Sequence, residues 1–141
     1  MFRKILVAVD GSGHFDSAVA AAARLAACGG AKLTVCHAFY IPESYRADLG
    51  DELRAGMRQD AEDILAHAAA VAKEHGVAAD TRLLEQPHAA EAVVALAESE
   101  GADLIVVGAR GHSKDEAWTL SSVSETVARL AACSVLIVRR A

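Results

Sequence analysis

Five short aliphatic runs, separated by stretches with helical spacing, constrain this chain more than any other feature. Residues 5–9 (ILVAV), 104–107 (LIVV) and 135–138 (VLIV) are continuously apolar over four or five positions. Runs of that kind read as strands buried on both faces. Residues 33–37 (LTVCH) and 81–84 (TRLL) are two more strands of the same length class. Between them lie helical patterns. Residues 17–27 are rich in alanine and stop at Gly29-Gly30, which suits a helix with a glycine terminator. Residues 51–75 form the longest pattern, with Leu53, Met57, Ala61, Ile64, Ala68 and Val71 stepping by three or four as one buried stripe. A third helix follows Pro87 through Ala92, Val93 and Leu96 to Glu98, and a fourth covers residues 122–131.

Strand–helix alternation along the whole length implies an α/β fold, a parallel sheet with helices on both faces. Right-handed crossovers leave few ways to order its strands. The chain of 141 residues shows no internal repeat and no linker, so one domain spanning residues 1–141 is expected. A domain of this size buries roughly 68–70% of its unfolded surface, enough for a core without staples. Aromatic residues make up only 4%, so that core is aliphatic, and alanine-faced helices can approach the sheet closely.

Charge and cysteine usage narrow the function classes. A net charge of −5 argues against a nucleic-acid partner, which ordinarily requires a basic face. It does not exclude a small anion held by backbone N–H groups in a cleft. Cys28, Cys36 and Cys133 are odd in number and lack CxxC spacing, so they read as small hydrophobes in a reducing compartment. No run approaches the roughly 18 apolar residues of a membrane span. Asp10 follows the opening run too soon for a signal-peptide core. A cytoplasmic protein is the expectation.

In open α/β sheets, ligands bind beyond the carboxyl ends of the strands where strand order reverses. Two turns have the composition for that role: Asp10-Gly11-Ser12-Gly13 after the first strand, and Gly108-Ala109-Arg110-Gly111 after the fourth. Ser121-Ser122-Val123-Ser124 then opens the last helix. Glycines admit close approach of backbone, and a helix N-terminus adds unpaired N–H donors with partial positive charge. Structural readings stand beside these. Asp10 can cap its own turn, the glycines can simply end a strand, the serines are good caps, and Arg110 can be a solvated loop charge. His14 and His112 lie near the same turns without a third ligand at metal-binding spacing, and His37 at a strand end is the histidine expected to be partly buried. Trp118 reads equally as a lid, a partner contact or an anchor for its loop. No Ser-His-Asp or Cys-His arrangement and no acid–base pair of carboxylates is assignable, so no catalytic residue is named.

Familiar nucleotide signatures are absent. Gly108 and Gly111 lack the leading glycine of GxGxxG, and there is no GK[ST] for a P-loop. Residues 12–17 faintly resemble the SGGxDS loop of ATP pyrophosphatases, but His14 replaces the second glycine and Asp10-Gly11 intervene after the strand.

The whole chain, however, resembles the universal stress proteins. The likeness is carried by KILVAVDGS at the start, LTVCHA at the second strand, ADLIVVGARGHS at the fourth and SSVSETVARLAACSVLIVRR at the end. Gly108, Gly111 and Ser122 fall in the family's ATP-binding pattern Gly-x2-Gly-x9-Gly-[Ser/Thr], with Ser121 in place of the third glycine. The resemblance implies a three-layer α/β/α, Rossmann-like fold of the adenine nucleotide α-hydrolase type, with a five-stranded parallel sheet of order 3-2-1-4-5. It also implies a stress-response regulator that binds an adenine nucleotide, ATP with or without Mg²⁺, without significant catalysis. By position, Asp10 would meet the ribose or adenine side with Val9 beside it. Ala38 would offer backbone to adenine and Val107 would pack nearby. Gly108, Gly111, Ser121, Ser122, Val123 and Ser124 would surround ribose and phosphates.

Three departures from the family complicate that reading. If residue 121 needs a left-handed backbone, Ser121 carries a strain of roughly 1–2 kcal/mol, about a tenfold loss of phosphate affinity. If the backbone there is ordinary, the serine caps the helix or donates to phosphate. Asp115 and Glu116 put carboxylates where a triphosphate would be repelled unless Mg²⁺, Arg110 or Lys114 intervened. Ser134 stands where the family usually has proline and restores an N–H donor. The alternative is therefore a family member that does not bind ATP and acts as a dimeric interaction module. An edge position for the last strand would leave an apolar, unpaired edge. A homodimer through Val135, Leu136, Ile137 and Val138 is expected, with any other protein partner unspecified.

Overall fold

The computed structural model describes residues 1–43, 50–109 and 120–139. Its strands are β1 (Lys4–Val9), β2 (Lys32–Phe39), β3 (Asp80–Glu85), β4 (Leu104–Gly108) and β5 (Ser134–Val138). The helices between them are α1 (Asp16–Gly29), α2 (Asp51–Glu74), α3 (Ala89–Glu100) and α4 (Ser122–Leu130). All four pairings are parallel, and the strand order is β3-β2-β1-β4-β5. That is the order implied by the resemblance. Each strand keeps its expected place and runs one or two residues further at an end.

Side-chain alternation along the strands divides the interior into two cores. Ile5, Val7 and Val9 of β1, with Leu33 and Val35 of β2, pack under Ala18, Ala22, Ala23 and Ala26 of α1 and Leu65, Ala68 and Ala72 of α2. Leu6 of β1, Cys36 of β2, and Ile105 and Val107 of β4 face the other way, against Val93 and Ala97 of α3 and Val127 of α4. Each Val, Leu or Ile buried this way contributes about 1.5–3 kcal/mol, which is why the central strands carry almost no polar residue. The alanine stripe of α1 allows the close helix–sheet approach expected from composition. Gly30 ends that helix with φ 66°, its N–H returning to Ala26 O.

The α2 stripe differs from expectation at its start. Leu53 is 54% exposed and Met57 39%, and Ile64 is only partly buried. Leu65 and Ala72 join Ala61, Ala68 and Val71 on the buried face instead. The reason is length. A helix of 24 residues is about 36 Å long, whereas the eight residues of β2 reach about 26 Å. The first turns overhang the sheet, where Arg54 pairs with Asp51 at 2.6 Å and Arg58 with Glu85 at 3.2 Å.

The two sheet edges are unlike. On β3, Asp80 and Arg82 are engaged in ion pairs with Lys32 and Glu100, the charged protection typical of an edge strand. β5 instead presents Val135, Leu136, Ile137 and Val138, all partly exposed. It begins at Ser134, which pairs in register with Leu104.

Candidate functional site

Because β4 crosses to the far side of β1, the strand order reverses between them, and the turns after β1 and β4 open side by side. A cleft, partly open to solvent, lies there on the α3/α4 face of the sheet. Eight of the ten residues expected at a ligand site line it: Val9, Asp10, Ala38, Val107, Gly108, Ser121, Val123 and Ser124. Ser122 does not. It is exposed as the first residue of α4, the helix that its neighbour Ser121 caps. Gly111 lies outside the described residues, as do Arg110, His112, Lys114, Asp115, Glu116 and Trp118.

The β1 side of the cleft is organised by Asp10. Its Oδ1 accepts the Ser12 amide at 3.0 Å and also the Ser12 hydroxyl. Ser12 Oγ in turn accepts the His14 amide at 3.1 Å. Gly13, at φ 77°, supplies the left-handed residue that this return of the chain requires. Asp10 therefore caps its own turn while also lining the cleft; the two readings of this residue hold together. Phe15, 6% exposed, follows the turn and packs edge-on against the His67 ring of α2, with centroids 5.7 Å apart. His67 Nε2 lies 3.0 Å from Asp16 Oδ1, so α2 holds the start of α1 in place. His37 is more buried than expected and hydrogen-bonds through Nδ1 to the Val9 carbonyl at 2.9 Å, tying the end of β2 to the end of β1.

On the β4 side, Ser121 is the N-cap of α4 with φ −60° and ψ 153°. This is ordinary extended backbone, so the strain reading of the serine is set aside. Its Oγ accepts the Ser124 amide at 3.1 Å and lies 2.8 Å from Ser124 Oγ. The Ser124 hydroxyl donates to the Gly108 carbonyl. Since Ser124 has one hydroxyl proton and gives it to that carbonyl, the Ser121 hydroxyl is the donor in the serine pair. The Ser121 amide donates to Ala109 O at 2.9 Å, and the Glu125 amide to Ser121 O at 3.0 Å. Among the first amides of α4, those of Ser122 and Val123 remain without an intrahelical acceptor.

Residues given no ligand role from sequence complete the lining: Ala8, His14 (expected near these turns), Phe15, Ala89 and Val93. Ala8 is legible in hindsight from period-two alternation with Leu6. Ala89 and Val93 are one turn apart at the start of α3, and nothing in an alanine or valine advertises a ligand. Their position brings a second helix N-terminus to the cleft. The walls are thus largely apolar, with Asp10 the single carboxylate and no Lys or Arg among the described lining residues. No group of three or more His, Cys, Asp or Glu side chains among the described residues could hold a metal ion. No helix among them is long and apolar enough to cross a membrane.

An open parallel sheet with a cleft at its switch point, walled by apolar side chains and helix N-termini, defines an α/β protein of Rossmann-like type. Residues 1–139 match the family model described as "Universal stress protein family". The chain is 36% identical to universal stress protein YxiE of Bacillus subtilis, over 99% of this chain and all of that protein. It is 39% identical to a universal stress protein of Thermus aquaticus, again over 99% of this chain and all of that one. Among solved structures, a universal stress protein in complex with cAMP superposes with a TM-score of 0.76 at 30% identity, covering 97% of each chain. The chain belongs to the universal stress protein family.

Proposed function

We propose that this protein is a single-domain, cytoplasmic stress-response regulator that binds an adenine nucleotide in the switch-point cleft and performs no significant turnover. The observation that carries this reading is the cleft itself. Ala8, Ala38, Val93, Val107 and Val123 offer apolar surface for a base, beside the amides that open α4. The solved relative bound to cAMP supports the same class of ligand. Base and ribose would lie toward Val9, Asp10 and Ala38, and phosphate toward Gly108, Gly111, Ser122 and Val123. The absence of an assignable nucleophile–base pair in the sequence favours signalling by occupancy over catalysis. We further propose that β5 pairs with β5 of a second copy, because its outer edge is apolar where that of β3 is charged.

Isothermal titration of the full chain with ATP, ADP, AMP and cAMP, each with and without Mg²⁺, tests the ligand. Saturable one-to-one binding of at least one of them is expected, with guanine nucleotides weaker. No binding of any adenine nucleotide at millimolar concentration would overturn the nucleotide reading and leave the non-binding interaction module. Sedimentation at micromolar concentration tests the pairing. A dimer mass is expected, and a sharp monomer mass refutes it.

A further inference from the structure

Resting on the adenine-nucleotide reading, we propose that His37 is a positioning residue of the cleft: its bond to the Val9 carbonyl fixes the wall against which base and ribose lie. β1 pairs with β2 along its whole length, from Lys4 to Val9, but with β4 only from Ile5 to Val7. The two central strands part beyond Val7 and Val106, and the cleft opens in the gap between them. Ala8 and Val9 line that gap. They therefore have a paired strand on the β2 side alone, and Asp10 continues directly from them.

His37 sits opposite Val9 in the β1–β2 pairing. Val9 belongs to the α1/α2 core, and residues opposite one another on paired strands share a face. The His37 ring is accordingly on the side of the sheet away from the cleft and is not among the lining residues, whereas Ala38, the next residue, is one of them. The ring is 7% exposed, with Nδ1 2.9 Å from the Val9 carbonyl oxygen. A carbonyl can only accept, so Nδ1 carries a proton and donates it. This bond ties the last residue of β1 to β2 at the point where β4 no longer supports it. One peptide further on, Asp10 carries the carboxylate that organises the Ser12–His14 turn, so any shift of Val9 passes to that turn. Ligand groups need to be held within roughly 0.5 Å of their productive places. A strand end braced from one side meets that demand through the side chain that locks it.

Titrations of wild type, His37→Leu, His37→Gln and His37→Asn with AMP, cAMP and Mg²⁺-ATP test the proposal, with circular dichroism establishing that each variant is folded at the temperature used. Leucine removes the donor, and glutamine places its amide nitrogen one bond too far. Asparagine puts an N–H donor at the same bond distance from Cβ as Nδ1. His37→Leu and His37→Gln are expected to weaken binding about tenfold, by the same factor for each nucleotide that wild type binds, because the lesion lies on the base and ribose side. His37→Asn is expected within about threefold of wild type. A purely structural role would lower the Tm of all three variants and leave the affinity of the folded protein unchanged. Affinity within threefold of wild type in folded His37→Leu therefore overturns the proposal, and so does an asparagine variant as weak as the leucine one or a loss that grows with the number of phosphates. Where the leucine and glutamine variants fail to fold, the ¹⁵N spectrum of the wild-type imidazole decides: a proton on Nδ1 is expected, and a ring protonated on Nε2 alone overturns the proposal. A wild type that binds none of the three nucleotides overturns the adenine-nucleotide reading itself, and the proposal with it.

Discussion

Replacing Ser124 by alanine tests whether the β4–α4 junction is held by the serine relay. The side chain is 2% exposed, donates to the Gly108 carbonyl and accepts from Ser121. Removing one oxygen opens almost no volume, so the cavity cost is small. The loss falls on hydrogen bonding: a partly buried acceptor and a partly buried donor each lose a partner, and leaving fully buried groups unmatched costs about 1–3 kcal/mol. The capping bond from the Ser124 amide to Ser121 survives, which keeps the effect toward the lower half of that range. We expect a loss of about 1–2 kcal/mol in urea denaturation and, at about 4 °C per kcal/mol for a chain of this length, a Tm lower by about 4–8 °C. Ser122→Ala, two residues earlier but exposed, is expected within about 0.5 kcal/mol of wild type. Equal losses for the two serines, or a Ser124→Ala loss below about 0.3 kcal/mol, would refute the relay as a source of stability.

Three other substitutions or modifications follow from the same structure. Leu53→Gln is expected to change stability by less than about 0.5 kcal/mol, whereas Leu65→Ala costs about 2–5 kcal/mol; chemical denaturation of both decides whether α2 overhangs the sheet. A thiol reagent at pH 8 should label exposed Cys28 rapidly and leave Cys36 untouched until unfolding, because burial, with Glu100 adding to it, pushes the Cys36 thiol up to about 12; mass spectrometry of the native protein reads the site. Asp103 accepts the amides of Arg3, at 2.9 Å, and Lys4, at 3.0 Å, and these bonds hold its carboxyl below the usual carboxylate range. A depressed folded value makes the contribution full above the unfolded carboxyl range and lost as pH falls through the folded one. The Tm deficit of Asp103→Asn should therefore be constant from pH 5 to 8 and shrink below pH 4.

The sheet was legible because parallel strands buried on both faces leave continuous aliphatic runs, and no solvent-facing alternation obscures them. What sequence reading lost lay at the ends. Ala38 and Phe39 belong to β2, beyond the run that ends at His37, because pairing with β3 continues to Glu85. Leu53 and Met57 have the spacing of a buried face, but periodicity reports only which side of a helix they share. Whether a sheet lies beneath that side depends on relative lengths, which no local window contains. The site divides similarly. Turn residues such as Asp10, Gly108, Ser121 and Ser124 stand out by composition, while Ala89 and Val93 come to the cleft through the β3–α3–β4 crossover, a long-range consequence of strand order.

Ser121 and Ser122 illustrate a finer limit. They are adjacent and chemically identical, and a motif pattern assigns the ligand role to the second. The helix start separates them: the residue before the first helical turn has its hydroxyl bonded back to the Ser124 amide, and the next one is exposed. A one-residue choice of N-cap thus decides which hydroxyl is spent on the fold and which backbone amides stay available to an anion. A glycine at the cap would leave the third amide of the helix, that of Ser124, without its side-chain acceptor. Serine supplies that acceptor and makes the helix entry firmer. Ser121→Ala removes that acceptor and is therefore expected to cost about 0.5–2 kcal/mol in urea denaturation, and an unchanged midpoint would refute the cap as what firms the entry to α4.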